Sequence, residues 1–450
     1  MLKMANSDIN AIRPIHYLGS KLRMLEAVKS AIDDVDVTQG CMCDLFSGSG
    51  TITSYFLNYR DVISVDIQNY SSVLCEATTN QLSEVVNTDE IITEIVNLKS
   101  TMYIMQSSKT LVEYEEFCMS SAINGELQGL YEIIDNGSIY IYLKGEAQGL
   151  SDELHSALKC TCDKLKQQGL LMKEEYMITR LFGGLYFSYK QSIDMDCLAE
   201  YIFAQNGLLK TKMLAALLST ASEVVNTVGK QFAQPLKVKN NKGEWKKNLL
   251  DKIISDRSLD VFEIYKKWLK YYVELKVGSH TCKTLCLDYR EALEALKDEN
   301  VSVIYADPPY TRYHYSRYYH VLETICLRDN PEASTTFPNG KGGISRAVYR
   351  RGRHQSPFCI KSKAEEAFEA LFSKVKEINV PLVLSYSPFD ESQAVTPRLQ
   401  TIEQLVELAK KYFSEVDIIS PGAFTHSKLN SVEKNFDANH EAELLIICKP

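Results

Sequence analysis

Apolar and polar positions near the start of the chain switch between the spacing of a helix and that of short strands. KLRMLEAVKSAI (residues 21–32) has apolar residues at helical spacing, whereas CMCDLF (41–46) and VISVDI (62–67) are short apolar runs. Between the two runs, FSGSGT (46–51) has the glycines of a tight turn that opens a helix. The order helix, strand, turn, helix, strand predicts an α/β fold.

The last third of the chain returns to this pattern, while the middle departs from it. The predicted C-terminal elements are the strands VSVIYA, VPLVLSY, VDIIS and AELLIICK and the helix IEQLVELAKKYF. Residues 70–280 have mostly helical spacing, with one β-like stretch at SIYIYLKG (138–145). We therefore predict one mostly parallel sheet from residues 1–69 and 281–450, interrupted by a mainly helical insertion at 70–280.

Bulk composition is that of a soluble globular protein. The chain is 45% hydrophobic and 24% charged, and it contains no run of about 20 apolar residues that could span a membrane. Its N-terminus lacks the order of a signal peptide, so we expect a cytoplasmic protein whose twelve cysteines are reduced thiols. The pairs Cys41/Cys43, Cys160/Cys162 and Cys282/Cys286 lack the His partners and spacing of a zinc module, and we expect no metal.

Charge along the chain is uneven, although the formal net charge is −8. Residues 209–276 contain fourteen Lys/Arg and seven Asp/Glu, so a basic surface can coexist with an acidic whole. Lys246, Lys247, Lys266 and Lys267 alternate with Trp245, Trp268, Tyr271 and Tyr272, as on surfaces that bind a nucleic-acid backbone. The segment IYKKWLKYYVEL is equally well explained as an amphipathic helix.

A second basic segment lies in residues 333–357, whose Gly, Pro, Ser and Arg content is typical of a mobile loop. Its arginines are Arg346, Arg350, Arg351 and Arg353. We expect them to bind phosphate groups, with Arg350, Arg351 and Arg353 as candidate DNA-binding residues.

The turn after the first predicted strand is a candidate ligand site. It contains Asp44, Phe46, Gly48, Gly50 and Thr51. Glycines there let a ligand approach the backbone, and the following helix offers free N–H groups. Asp66, at the end of the next strand, is placed to accept the hydroxyls of a ribose, as in dinucleotide-binding folds. This pattern alone does not distinguish a nicotinamide cofactor from S-adenosylmethionine.

The tetrapeptide Asp307-Pro308-Pro309-Tyr310 narrows the choice. It ends the strand VSVIYA, and two prolines make the turn rigid where α/β sheets place ligands. An exocyclic amino group is a poor nucleophile because its lone pair is delocalised into the ring. A carboxylate and a fixed carbonyl oxygen that accept hydrogen bonds from its N–H groups would localise that lone pair. Tyr310 would provide a ring on which the base can stack.

With these motifs the sequence resembles the D12 class of adenine-specific DNA methyltransferases, which are similar to the Dam methylases. The resemblance implies that Asp307, Pro308, Pro309 and Tyr310 are the catalytic motif, and that Phe46, Gly48, Gly50 and Asp66 contact S-adenosyl-L-methionine. Two further cofactor contacts implied by the resemblance are Asp288 in LCLDY and the N-terminal motif of Tyr17, Leu18, Gly19, Ser20 and Lys21.

The order of the motifs implies a seven-stranded Rossmann-like methyltransferase sheet with an inserted target recognition domain at 70–280. The expected substrate is double-stranded DNA, from which the target adenine must be flipped out of the helix for direct in-line transfer to N6. A cognate restriction endonuclease or a defence-system protein is a possible partner. In RYHYSRYYHVLETI, Tyr313, Tyr315, Arg317, Tyr318, Tyr319 and His320 are candidates for a base pocket, while Val321, Leu322 and Ile325 are predicted core.

Two alternatives remain open. Methylation of cytosine N4 uses the same chemistry, but enzymes of that kind more often carry Ser in place of Asp307. A catalytically silent, sequence-specific DNA-binding protein could keep this fold, but it has no chemical need for Asp307 and Tyr310.

Overall fold

The computed structural model describes residues 13–16, 21–335, 342–387, 398–420 and 443–450. Within these ranges the strands are β1 (Cys41–Leu45), β2 (Val62–Asp66), β3 (Cys282–Cys286), β4 (Val301–Ala306), β5 (Leu382–Tyr386), β6 (Glu415–Ile419) and β7 (Leu444–Lys449). Tyr17 and Gly19, predicted to contact the cofactor, lie outside the described residues.

The helices of the described ranges are, in chain order, α1 (Leu25–Val35), α2 (Thr51–Phe56), α3 (Asn69–Thr79), α4 (Thr88–Asn97), α5 (Lys99–Ile123), α6 (Gln128–Asn136), α7 (Ile139–Leu143), α8 (Asp152–Gln167), α9 (Met177–Phe182), α10 (Tyr189–Phe203), α11 (Gly207–Val224), α12 (Leu250–Arg257), α13 (Val261–Glu274), α14 (Tyr289–Ala295), α15 (Tyr315–Tyr318), α16 (His320–Leu327), α17 (Ala364–Ile378) and α18 (Ile402–Ala409). A short 3₁₀ helix, Lys21–Arg23, precedes α1.

The chain divides into two compact units. The first comprises residues 1–81, 275–314 and 355–450, and the second comprises residues 82–274 and 315–354. The boundaries differ from the sequence expectation of 1–69 with 281–450 and 70–280. Helix α3 packs on β2 and β3 and so belongs to the first unit, whereas α16 packs on α11 in the second.

The first unit is built on a seven-stranded sheet of order β3-β2-β1-β4-β5-β7-β6. The pairs among β3, β2, β1, β4 and β5 are parallel, and β7 is antiparallel to both of its neighbours. The predicted mostly parallel, seven-stranded sheet is therefore confirmed. The chain proceeds outward from β1 to β3 on one side and from β4 to β5 on the other, so the strand order reverses between β1 and β4. Ligands of α/β sheets bind at such a reversal, beyond the carboxyl ends of the strands.

Both faces of the sheet are covered, because successive side chains of a strand point to opposite faces. Cys43 and Leu45 pack in a core with α14, α17 and α18, whereas Met42 packs on the other side with α1 and α2. This double coverage explains why the central strands are nearly continuous apolar runs. Strand β3 was not predicted. It lies at the sheet edge, and Lys283 and Cys286 on it are exposed, so its apolar signal is weak.

The second unit is mainly helical, as predicted for the middle of the chain. Its core joins α5, α6, α8, α10 and α12 around buried leucine, isoleucine and tyrosine side chains. Val321, Leu322 and Ile325 of α16 are buried, as predicted. Among the described helices, none combines the length and apolar character needed to cross a bilayer.

Two local expectations in the second unit are wrong. The β-like stretch at 138–145 forms α7, because the Ser138 hydroxyl accepts a bond from the Ile141 amide and the adjacent Ile139 and Tyr140 are both buried. An alternating strand would bury only one of two neighbours. The described part of 333–357 is packed rather than an open loop. Ala347 and Val348 are buried, and the Arg346 guanidinium donates to the carbonyls of Ile134 and Leu236.

A buried ion pair in the second unit makes its stability testable. Arg257 pairs with Glu115 and donates to the Gly184 carbonyl at 2.7 Å, while the Tyr189 amide donates to Glu115 at 2.6 Å. Arg257→Met should lower the free energy of unfolding by about 3–5 kcal/mol, because it leaves a buried carboxylate without its cation. Adding Glu115→Gln should restore part of that loss.

Urea denaturation would measure these changes, with Lys109→Gln as the control. Lys109 and Glu113 form an exposed pair at 3.6 Å, whose removal should cost less than about 1 kcal/mol. Equal losses in the single and double variants would contradict the assignment of the cost to an uncompensated charge.

Candidate functional site

The turn between β1 and α2 has an unusual backbone. Phe46, Gly48 and Gly50 all have positive φ, of 71°, 56° and 75°. A Cβ on Gly50 would lie 3.2 Å from the Cα of Cys75, so both the backbone conformation and the close contact require glycine. For a bulky residue such as Phe46 this conformation is strained, and strain of this kind is concentrated at functional sites.

Asp66, at the end of β2, shapes this turn. Its two carboxylate oxygens accept hydrogen bonds from the amides of Gly48 at 3.0 Å and Gln68 at 2.8 Å. Asp44, at the end of β1, is buried and accepts from the Thr53 hydroxyl at 2.6 Å. Its other oxygen and the Ser47 hydroxyl are buried without a partner among the described residues. The turn therefore presents polar groups that a ligand with hydrogen-bonding atoms could satisfy.

Aromatic rings hold Phe46 beside the turn. Its ring centroid lies 5.8 Å from that of Tyr289 and 5.4 Å from that of Phe358. Asp288, the predicted cofactor contact after β3, caps α14 by accepting from the Arg290 amide at 3.0 Å. Thr51, at the start of α2, lies within 3.1 Å of the Ser49 hydroxyl. The predicted residues that follow β1, β2 and β3 thus lie along one edge of the sheet.

The Asp-Pro-Pro-Tyr turn follows β4 on the same edge. The Asp307 amide donates to the Leu45 carbonyl of β1 at 3.4 Å, which ties this turn to the glycine turn. The Asp307 carboxylate lies 3.0 Å from the ammonium of Lys21, a predicted cofactor residue. The Asp307 side chain keeps 22% of its surface exposed, whereas Lys21 keeps 6%, so the carboxylate remains accessible beside a buried cation.

Two residues of this site were missed by the sequence analysis. Glu443, directly before β7, is buried, pairs with Lys21, and accepts from the Tyr310 hydroxyl at 3.0 Å. Because β7 is antiparallel, its start lies at the carboxyl edge of the parallel strands, which the sequence alone does not reveal. The Arg398 guanidinium lies 4.8 Å from the Tyr310 ring centroid. A base stacked on Tyr310 would share or replace that contact.

Electrostatics at this edge favour a cationic ligand. Burial raises the pKa of Asp307 to about 7, with Glu443 adding to the rise and Lys21 opposing it. Burial also raises the pKa of Asp44 to about 7, and Asp307 contributes. Burial alone would lower the pKa of Lys21, but Asp307 and Glu443 raise it above its ordinary value. Among the described residues, the Lys21 ammonium pairs with both Asp307 and Glu443, and carboxylates outnumber the cations near it.

The four predicted DNA-binding lysines lie in the second unit, and two of them have carboxylate neighbours. Lys266 pairs with Asp89, and Lys267 lies 3.9 Å from Glu223. Lys246 donates to the Lys237 carbonyl, and Lys247 is exposed. Trp268 and Tyr272 are buried on one face of α13. These two aromatic residues therefore pack in the core, as the amphipathic-helix interpretation of the segment predicts. A DNA-binding role for the lysines stays a prediction.

The predicted residues after Tyr310 are divided between surface and core. Tyr313 is exposed, Tyr315, Arg317 and Tyr318 are half-buried, and Tyr319 and His320 are buried. A base-pocket role for them stays a prediction. In the described part of the chain, no group of three or more His, Cys, Asp or Glu side chains is arranged to hold a metal ion.

The fold is that of an α/β protein whose candidate ligand site lies at the carboxyl edge of the sheet, where the strand order reverses between the glycine turn and Asp307. The family model of the D12 class N6 adenine-specific DNA methyltransferases matches residues 17–151 and 256–379, more than half of the chain. The chain belongs to this family.

Its relatives are modification enzymes. Modification methylase LlaI of Lactococcus lactis subsp. lactis is 25% identical over 88% of this chain, which spans about half (49%) of that relative. The Type II methyltransferase M.NlaIII of Neisseria lactamica is 23% identical over 95% of this chain and 96% of its own length. Modification methylase StsI of Streptococcus sanguinis is 22% identical over 83% of this chain and 44% of its own. No solved structure matches the chain.

The charge arrangement predicts a measurable coupling between Glu443 and Asp307. Glu443→Gln should lower the pKa of Asp307 from about 7, because it removes a neighbouring negative charge that disfavours the ionised carboxylate. Titration of ¹³C-labelled aspartate carboxyls by NMR would measure it, with Asp307→Asn assigning the signal. Glu415→Gln, on the exposed strand β6, is the matched control and should leave the pKa unchanged. An Asp307 pKa unaltered by Glu443→Gln would contradict the coupling.

Proposed function

We propose that the chain is a site-specific DNA methyltransferase that transfers a methyl group from S-adenosylmethionine to the N6 amino group of adenine in duplex DNA. The observation that carries the proposal is the position of Asp307. It directly follows β4 beside the glycine turn of β1, with a partly exposed carboxylate held by Lys21 at 3.0 Å. Membership of the D12 class family supports the base and the atom that are methylated.

The residues present fit the cofactor. The glycine turn leaves backbone space, Asp44 and Ser47 keep unsatisfied polar atoms, and the surplus of carboxylates suits a cation. The nucleoside part of the cofactor would be held by Gly48, Gly50 and Asp66, with Phe46 and Asp288 on the side of its base. Its charged end would be held by Lys21, Asp44 and Asp307. When bound, S-adenosylmethionine supplies an already activated methyl group on a sulfonium centre.

The chain's own chemistry is positioning and lone-pair localisation. The Asp307 carboxylate and the Pro308 carbonyl would accept hydrogen bonds from the two N–H groups of the amino group. This arrangement directs the nitrogen lone pair toward the methyl donor. Pro308 and Pro309 keep that carbonyl fixed. Tyr310, held by Glu443 through its hydroxyl, would stack on the flipped base. A preorganised contact of this kind is typically worth about 10²–10³ in rate.

The inserted helical unit, which contains the basic stretch 209–276, would recognise the DNA sequence. Extrusion of the target base costs a few kcal/mol, and phosphate contacts and stacking would offset it. Lys246, Lys247, Lys266, Lys267, Arg350, Arg351 and Arg353 are the proposed DNA-binding residues. Two relatives are named as a modification methylase and a Type II methyltransferase. A cognate endonuclease in the cytoplasm is the proposed partner.

Cofactor binding should depend on pH in a defined direction. Asp307 and Asp44 titrate near 7 in the free protein, and a bound cation favours their ionised forms, so binding should release protons. Affinity for S-adenosylmethionine should then rise about tenfold from about pH 6 to about pH 8. Isothermal calorimetry would measure it.

S-adenosylhomocysteine is the matched control ligand, because it has the same amino acid end but no sulfonium charge. Its affinity should change much less over that range. An identical pH dependence for both ligands would show that the carboxylates do not sense the sulfonium.

Asp307→Asn tests the activity itself. The change keeps the size of the side chain but removes the charge and can present an N–H where an acceptor is needed, so methyl transfer should fall by about 10²–10³ with DNA binding retained. Sequencing of genomic DNA from cells that express the wild-type chain should reveal modified adenine at one sequence motif, and the variant should leave that motif unmodified. A single-turnover assay on that motif separates the chemical step from product release.

If the same experiment reveals modified cytosine instead of modified adenine, the reaction is methylation of cytosine N4 and not of adenine N6. A wild-type chain that binds DNA and modifies no base would favour the catalytically silent DNA-binding protein.

A further inference from the structure

The arginines of residues 315–354, in the second unit, divide into two kinds. Four of the six pair with carboxylates, namely Arg328 with Glu200, Arg346 with Asp135 at 3.1 Å, Arg350 with Asp329 at 2.5 Å, and Arg351 with Glu332 at 3.7 Å. Arg317 and Arg353 form no ion pair with any described residue. Among the arginines of this segment, Arg317 and Arg353 therefore keep a charge that an external anion can bind.

One tyrosine holds both guanidinium groups. Arg317 donates to the Tyr349 hydroxyl at 3.0 Å, and its guanidinium carbon lies 5.2 Å from the Tyr349 ring centroid. The guanidinium carbon of Arg353 lies 5.1 Å from the same centroid. Cation–π contacts of this kind orient a guanidinium without neutralising it. Arg353 also donates to the Ser316 hydroxyl at 3.4 Å. Apart from these bonds to Tyr349 and Ser316, the N–H donors of the two arginines have no partner among the described residues and can bind a ligand.

Tyr349 is itself fixed. Its hydroxyl donates to the Ala233 carbonyl, and its ring packs edge-on against the buried His320 at 5.0 Å. The preceding residue, Val348, has a φ of 49°, a strained conformation for a β-branched side chain. Strain that persists in a packed segment is typical of ligand clamps, where the surrounding structure over-determines the backbone.

The positive potential here is concentrated rather than dispersed in solvent. Arg317 and Arg353 are half-buried. Burial, and then repulsion from Arg317, lowers the pKa of Arg353. Burial also lowers the pKa of His320 to about 3, and Arg353, Arg350 and Arg317 add to that effect. Two half-buried cations that repel each other are unfavourable alone and become favourable when one anion binds to both.

We propose that Arg317 and Arg353, oriented on Tyr349, form a clamp for one phosphodiester group of the DNA backbone. The guanidinium fork matches phosphate oxygens in geometry, and backbone contacts of this kind fix the position of the duplex without reading bases. The inference rests on the proposed function, which makes duplex DNA the anion that this chain meets. It adds Arg317 to the proposed DNA-binding residues. Among the three arginines already proposed, Arg353 can bind a phosphate without leaving a carboxylate, whereas Arg350 and Arg351 would first have to leave Asp329 and Glu332.

Binding of a fluorescent duplex of mixed sequence at several salt concentrations tests the clamp. Arg317→Gln and Arg353→Gln should each weaken binding about tenfold. Each should also make the slope of log affinity against log salt shallower by about 1, because one phosphate contact is lost. The double variant should lose less than the product of the two effects, since both side chains hold the same group. Arg353→Lys should retain part of the affinity, because it keeps the charge and loses the fork.

Lys109→Gln, which removes one exposed charge of an α5 ion pair, is the matched control and should leave affinity and salt slope unchanged. Thermal unfolding at the wild-type temperature would show that the arginine variants are folded. If the wild-type chain binds and methylates DNA but Arg317→Gln and Arg353→Gln leave the salt slope unaltered, the clamp is overturned and the proposed function stands. A wild-type chain that neither binds nor methylates DNA would overturn both.

Discussion

The shared ammonium of Lys21 is the interaction on which the candidate site depends. It joins three segments that are far apart along the chain, namely the 3₁₀ helix at residues 21–23, the turn after β4, and the start of β7. Because Lys21 and Glu443 are buried, removal of the Lys21 ammonium would leave the Glu443 and Asp307 carboxylates without their shared cation. The same ammonium holds the Asp307 carboxylate at the surface of the site, where it can accept hydrogen bonds. Glu443 raises the pKa of Asp307 and accepts a hydrogen bond from the Tyr310 hydroxyl.

The sheet topology makes this arrangement possible. Parallel strands bring the glycine turn, Asp66 and Asp307 to one edge, and the antiparallel β7 returns Glu443 to that edge from the C-terminal part of the chain. In the part of the chain that the structure describes, carboxylates thus outnumber cations where the strand order reverses. A cationic ligand would complete the charge balance, which is the physical reason to expect S-adenosylmethionine there rather than an anionic dinucleotide.

Sequence patterns predicted the elements whose signal is local and missed those that depend on position in the fold. The central strands were recognisable because burial on both faces makes them continuous apolar runs. Edge strand β3 was missed because two of its five residues are exposed and none is buried, which weakens its apolar pattern. The stretch SIYIYLKG looked like a strand because it is rich in β-branched and aromatic residues. Capping by Ser138 and burial of consecutive side chains made it a helix instead.

By itself, the sequence determined the α/β class, the mostly parallel sheet, the helical middle and the two turns that meet at its edge, because apolar periodicity, glycine and proline act within a few residues. The tertiary structure alone decided which charges are used within the fold and which are left over. Lys21 and Glu443 are 422 residues apart, and Arg346 and Arg353 look alike in the sequence although only Arg346 has a carboxylate partner among the described residues. Ion pairing depends on distances between side chains that only the folded chain brings together, so no local pattern can predict it.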